Sequence, residues 1–119
     1  MKQCDLIKAY KTIDKLYNMN FDFCSAYKLF KLKKNLEDYY CFHKEEEIKL
    51  LKENNAVFNE DGSVSFNTEE DMNSFYAKLG ELNNLSVDVE FDKTKMTISN
   101  DVIMSPSDIE NLSLFIDFE

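Results

Sequence analysis

Cys41-Phe42-His43 places the chain's one histidine two residues from a thiol. Such a pair can serve two chemistries, metal ligation and Cys–His nucleophilic catalysis. A metal would need two further ligands. Glu46 and Glu47 lie three and four residues past His43, within one helical turn, whereas Cys24 is far along the same segment. Nucleophilic catalysis fares worse, because residues two apart on a helix point about 200° apart. The thiol of Cys41 and the imidazole of His43 therefore cannot pair directly. The simpler reading is an ordinary surface histidine, and the residues point to no catalytic, metal or cofactor site.

Lys28, Lys31, Lys33 and Lys34 form a basic stretch beside Tyr27 and Phe30. Lysines interleaved with aromatic rings can bind a single nucleic-acid strand. All fourteen basic residues are lysine, however, and arginine is the usual bidentate reader of phosphate and guanine. A solvated helix face is the simpler reading. The acids gather elsewhere. Glu69, Glu70 and Asp71 open a predicted helix, and Asp88, Glu90 and Asp92 share one face of a predicted strand. Paired carboxylates perform acid–base work only in a shaped cleft, which nothing in the sequence indicates. A row of acids on a strand can simply block edge pairing. Its functional version is an acidic docking face, and these six residues are the candidate partner-binding site. Two glycines in the chain leave no glycine-rich phosphate loop, and no serine-centred elbow is present.

The elements that must position these residues follow from spacing. Leu6, Tyr10, Ile13 and Tyr17 recur at 4-3-4 behind a capping Asp5, with Ala9 and Leu16 widening the stripe. After a cap at Asn20 or Asp22, a second helix is predicted from about Phe23 to about Glu53. Leu29, Leu32, Leu36 and Tyr39 make its stripe, resumed by Ile48 and Leu51 beside Tyr40, Phe42 and Leu50. At 1.5 Å per residue it reaches roughly 45 Å, longer than a small domain is wide. Its seam offers a homodimer contact, but it is too weak near His43–Glu47 for a long parallel coiled coil.

Asn54-Asn55 stops that helix. Val57-Phe58 and Val64–Phe66 flank a turn in which Gly62 can take positive φ, so a hairpin is predicted. Thr68 caps the next helix, with Asp71 at the third position and Met72, Phe75, Tyr76, Leu79 and Leu82 on one face. Leu85, Val87, Val89 and Phe91 then alternate with polar residues as a strand, and Met96 and Ile98 alternate again. Asn100-Asp101 turns before Val102–Met104. Ser105-Pro106-Ser107-Asp108 is a strong helix start, with Ile109, Leu112 and Phe115 or Ile116 facing inward. The expectation is a single α+β domain over residues 1–119. A long helical hairpin or three-helix layer packs with a small antiparallel sheet, and a short C-terminal helix closes it.

Size supports such a core without disulfide or metal. Hydrophobic residues make up 44% and charged residues 31%. The net charge of −9 is uneven: residues 1–55 carry eleven lysines and nine acids, residues 56–119 three lysines and fourteen acids. The second part, at −11, repels nucleic acid and attracts a basic protein surface. No signal-peptide core and no eighteen-residue apolar run is present, so no membrane contact is expected. Three cysteines in a chain without export signals suggest reduced thiols in the cytoplasm of a host cell.

Taken whole, the chain resembles a family of small uncharacterised proteins of tailed phages and prophages of Gram-positive bacteria. The likeness is carried by "DLIKAYKTIDKLY", "SAYKLFKLKKNLEDYY", "NEDGSVSFNTEEDMNSFYAKLGELNNLSVDVEF" and "MSPSDIENL", over nearly the whole length. The resemblance implies an intracellular phage product with a binding or assembly task, and no catalytic residues come with it. The expected function is non-enzymatic binding of another protein, in virion assembly or as a minor structural component. The alternative is an acidic inhibitor of a host defence protein that mimics nucleic acid. In neither case is direct nucleic-acid binding expected.

Overall fold

The computed structural model describes residues 1–87, 92–98 and 102–118. Helices α1 (Gln3–Leu16), α2 (Phe23–Glu53), α3 (Glu69–Asn83) and α4 (Pro106–Leu112) combine with strands β1 (Val57–Phe58), β2 (Val64–Ser65), β3 (Thr94–Met96) and β4 (Ile116–Phe118). The fold is α+β.

Local chemistry explains the helix starts. Asp22 caps α2 by accepting the Ser25 N–H at 2.7 Å, and Thr68 caps α3 by accepting the Asp71 N–H at 3.1 Å. Ser105 and Asp108 close a reciprocal capping box on α4, with Pro106 just inside the start. At α1 the cap differs from expectation. The helix begins earlier, at Gln3, and Asp5 reaches back from its third position to accept the Lys2 N–H at 3.1 Å.

The core is built by α1, the first half of α2, β3, α4 and β4. Its buried members are Leu6, Ala9, Ile13 and Leu16 from α1, Leu29, Leu32 and Leu36 from α2, then Met96, Leu112, Phe115 and Ile116. Burying each large side chain contributes about 1.5–3 kcal/mol. Among the described residues, this cluster takes no buried member from 37–95. The inward face of α1 is thus Leu6-Ala9-Ile13-Leu16. Tyr10 is only half-buried and Tyr17 is exposed, because α2 covers the leucine side of the helix.

The sheets are two separate pairs. β1 and β2 form the expected antiparallel hairpin, Val57 opposite Ser65 and Phe58 opposite Val64, with Gly62 at φ 86°. β3 and β4 pair in parallel, Thr94 with Ile116 and Met96 with Phe118. The small antiparallel sheet expected beside the helices is therefore replaced there by a parallel pair. A parallel pair needs a crossover, and α4 supplies it. The chain after α4 is also not more helix: Ser113 ends it, and Phe115 and Ile116 fill the core from a turn and a strand. Ile109, expected inside, is exposed. Val102–Met104 forms no strand. Of the strand expected over Leu85–Phe91, Ser86 makes an isolated antiparallel bridge to Lys2. Residues 88–91, and the turn expected at Asn100-Asp101, lie outside the described residues.

Candidate protein-interaction surfaces

The second half of α2, the β1–β2 hairpin and α3 form an arm beyond the core. α3 turns back along α2, and the two are joined by His43. Its Nε2 lies 2.8 Å from Asn83 Oδ1, and its Nδ1 lies 3.8 Å from the Glu47 carboxylate. The ring is 6% exposed, so the expectation of a surface histidine is overturned. The physical reason is α3, which covers this face of α2 and brings an amide partner from forty residues away. The Nε2–H donates to Asn83 Oδ1, which gives this buried ring nitrogen a partner in a half-buried amide. Cys41 points outward, away from it, and is exposed. No group of three or more His, Cys, Asp or Glu residues that could hold a metal occurs among the described residues.

The arm buries little. Of α3 only Phe75 is buried, against Phe66 at 5.3 Å between ring centres. Met72 and Tyr76, expected on its inner face, are exposed, as are Ile48 and Phe42 on α2. α3 packs mainly along α2 and touches α1, which leaves part of its apolar face uncovered. Both hairpin strands are exposed throughout. Phe58 and Val64, directly opposite each other, share one hairpin face.

Around these apolar groups stand the acids. Glu60 and Asp61 sit in the hairpin turn. Glu69, Glu70 and Asp71 sit in the first turn of α3, where its macrodipole favours negative charge. Asp61 accepts both the Ser63 hydroxyl, at 2.6 Å, and the Ser63 N–H, at 3.0 Å; these bonds hold its carboxyl below the usual range. Residues 43–84 hold ten acids and four lysines. The structure thus gathers Glu69, Glu70 and Asp71 at the arm. It places Asp92 elsewhere, in an open groove of about 540 Å³ beside Tyr27, Lys28, Lys31 and Asn35. Some twenty residues of α2 separate the two places, roughly 30 Å along its axis. Asp88 and Glu90 lie outside the described residues.

The four-lysine stretch also divides. Lys28 Nζ donates to the Lys95 carbonyl at 2.6 Å, tying α2 to β3. Lys33 is 3.1 Å from Asp14 and sits over the Tyr17 ring at 4.1 Å, locking α2 to α1. The Asp14 bond raises the Lys33 pKa, against a smaller lowering by burial. Lys31 and Lys34 remain on the outside. No helix among the described residues is long and apolar enough to cross a membrane.

No protein-family model, no curated protein and no solved structure matches this chain.

Proposed function

We propose that the protein is a non-enzymatic phage or prophage protein that binds another protein inside the host cell through its acidic arm. It would serve virion assembly or sit in the particle as a minor component. The observation that carries this reading is the arm itself. Exposed Phe58, Val64, Met72 and Tyr76 rise among Glu60, Asp61, Glu69 and Glu70, outside the core and on a rigid helical stalk. Apolar anchors rimmed by charge suit a protein partner with a basic rim.

The inhibitor reading uses the same acids as phosphate mimics. Exposed aromatic and aliphatic groups among them favour apolar docking over pure mimicry. The test is capture from phage-infected lysate by the wild type, by Phe58→Asp/Tyr76→Asp and by Glu69→Lys/Glu70→Lys, each at low and high salt. Docking on the arm expects phage structural proteins held at both salts by the wild type and lost from the Phe58/Tyr76 variant. A host nucleic-acid-binding protein released by salt, and lost from the Glu69/Glu70 variant, supports mimicry. Identical captures by all three proteins refute the arm as the site.

A further inference from the structure

The arm carries a continuous apolar strip. Phe58 and Val64 face each other across the hairpin, and Phe66 follows two residues after Val64, on the same side of an extended chain. Phe66 lies 5.3 Å from Phe75, and Phe75 5.2 Å from Tyr76, between ring centres. Met72 stands one turn before Tyr76 on α3. Both ends of the strip are uncovered: Phe58 and Tyr76 are 54% and 58% exposed, Val64 and Met72 39% and 37%. From Val64 to Tyr76 the strip reaches roughly 17 Å.

The charges on this strip have one sign. Glu60 and Asp61 sit in the turn just beyond Phe58. Glu69 lies three residues before Met72 and seven before Tyr76, on the same side of α3. From Glu53 to Ala77 the chain holds six acids and no Lys, Arg or His, and among the described residues none of the six makes an ion pair. The nearest lysines in the sequence turn away. Lys52 is nine residues past His43, on the side of α2 opposite α3. Lys78 is two residues past Tyr76, about 200° round the helix, and pairs with Glu81 at 4.0 Å. The outer stripe of α2, Phe23, Tyr27 and Phe30, is exposed as well, but Lys31, Lys34 and Asp38 leave its charge mixed, so it selects no occupant.

We propose that the strip takes a cationic amphipathic helix of a partner protein. The apolar face of that helix lies on Phe58, Val64, Met72 and Tyr76, and its lysines or arginines reach Glu60, Asp61 and Glu69. This inference rests on the reading of the arm as a protein-binding surface, and it names the occupant. Charge complementarity selects it. A second copy of the strip would set unpaired acids against unpaired acids, and nucleic acid or an anionic membrane surface would meet the same repulsion. The chain's own basic stretch is occupied: Lys28 is held by the Lys95 carbonyl, Lys33 by Asp14 and Lys34 by Glu37, and the leucines between them lie in the core. Spacing selects the helix. Rings 5.3 and 5.2 Å apart match the roughly 5–6 Å between neighbours on one helix face, whereas same-face side chains of an extended segment recur every roughly 7 Å. Helical anchors at i, i+4, i+7 and i+11 span about 16 Å, close to the length of the strip.

The chain has no tryptophan, so a peptide carrying one reports its own binding by fluorescence. The probe is a lysine–leucine helix of about four turns, with apolar residues, one of them Trp, at i, i+4, i+7 and i+11. One control has the same composition with the apolar residues scattered round the helix. The other carries glutamate in place of lysine. The expected result is saturable binding of the probe alone. Phe58→Asp/Tyr76→Asp weakens it at least about tenfold and Glu60→Lys/Glu69→Lys severalfold, while Lys31→Glu, on the far side of α2, leaves it unchanged. All five replaced side chains are exposed, and circular dichroism checks that each variant keeps its helices. Equal binding of the scattered peptide means bare charge attraction and overturns the proposal. Binding of the glutamate peptide, no binding of the lysine probe, or equal affinity in the Phe58/Tyr76 variant overturns it too. A wild-type oligomer seen by light scattering and lost from that variant makes a second copy the occupant, with the same consequence. The lysate capture is read separately. Arm-dependent capture of phage structural proteins without probe binding keeps the function and removes the cationic helix; probe binding on the arm without such capture does the reverse.

Discussion

Replacing Asp108 with alanine removes one buried carboxylate that performs two tasks. The side chain is 7% exposed. It accepts the Ser105 N–H at 3.1 Å, and both its oxygens accept from Lys15 Nζ, at 3.2 and 3.1 Å. Loss of the buried, charge-assisted bond from the Ser105 N–H costs about 1.5–3 kcal/mol, and loss of the solvent-screened Lys15 pair about 0–1 kcal/mol. The sum, roughly 1.5–4 kcal/mol, is a large share of the roughly 6–18 kcal/mol expected for a chain this long. At about 4 °C per kcal/mol, Tm should fall by roughly 6–16 °C. Lys15→Met should cost only about 0–1 kcal/mol, because the lysine side chain is 58% exposed and its charge is well solvated. Ser105→Ala should fall between them, near 1 kcal/mol. The Ser105 N–H first, and Lys15 after it, hold the Asp108 carboxyl below its ordinary 3.8, outweighing the opposing effect of burial. A depressed carboxyl stabilises the fold above its unfolded pKa and loses that contribution as pH falls through the folded value. Urea denaturation from pH 6 down to pH 2 should thus show stability falling more steeply below pH 4 in the wild type than in Asp108→Asn. Lys15→Met as damaging as Asp108→Ala, or parallel pH slopes for wild type and Asp108→Asn, would refute this account.

Two further outcomes follow from the arm. His43→Leu should strand Asn83 at a partly buried position and cost about 1–3 kcal/mol, read as faster amide exchange in α3 than in α1; equal acceleration in both helices counts against His43 as the local clasp. Gly62→Ala, at φ 86° with open space around it, should cost the hairpin about 1–2 kcal/mol locally, with faster exchange at Asn59 and Ser63. Since no buried core residue comes from this segment, Tm should move by less than about 2 °C, and a larger drop would mean the hairpin supports the core.

Much of the frame was legible because its signals are local. The run without Gly or Pro from Phe23 to Glu53 marks α2, Asp61-Gly62 marks the hairpin, and Thr68 and Ser105-Pro106 mark two helix starts. What was not legible depends on partners far along the chain. Phe115 and Ile116 fit a helical period as well as a strand, and only pairing with Thr94 and Met96 decides between them. The alternation Ile116-Asp117-Phe118, buried, exposed and half-buried, was the available signal for β4. His43 is indistinguishable from a surface histidine until Asn83 is brought beside it. The acids divided for a similar reason: Glu69, Glu70 and Asp71 travel with one helix, while Asp92 returns to the opposite end of α2.

The core draws on both extremes of the sequence, Leu6 at one side and Leu112, Phe115 and Ile116 at the other. This sets a timetable for a nascent chain leaving the ribosome. Leu36 emerges nearly eighty residues before Phe115, an interval of about 4–16 s at 5–20 residues per second. During that time α1 can pair with α2, but the apolar face that Met96, Leu112, Phe115 and Ile116 complete stays open, and the outer stripe of α2 is bare as well. A helix waiting with two greasy sides is a natural substrate for holding chaperones, and for premature association between neighbouring chains on one polysome. Slow codons placed between Leu36 and Phe115 should therefore lower the soluble yield, whereas the same codons placed after Ile116 should not.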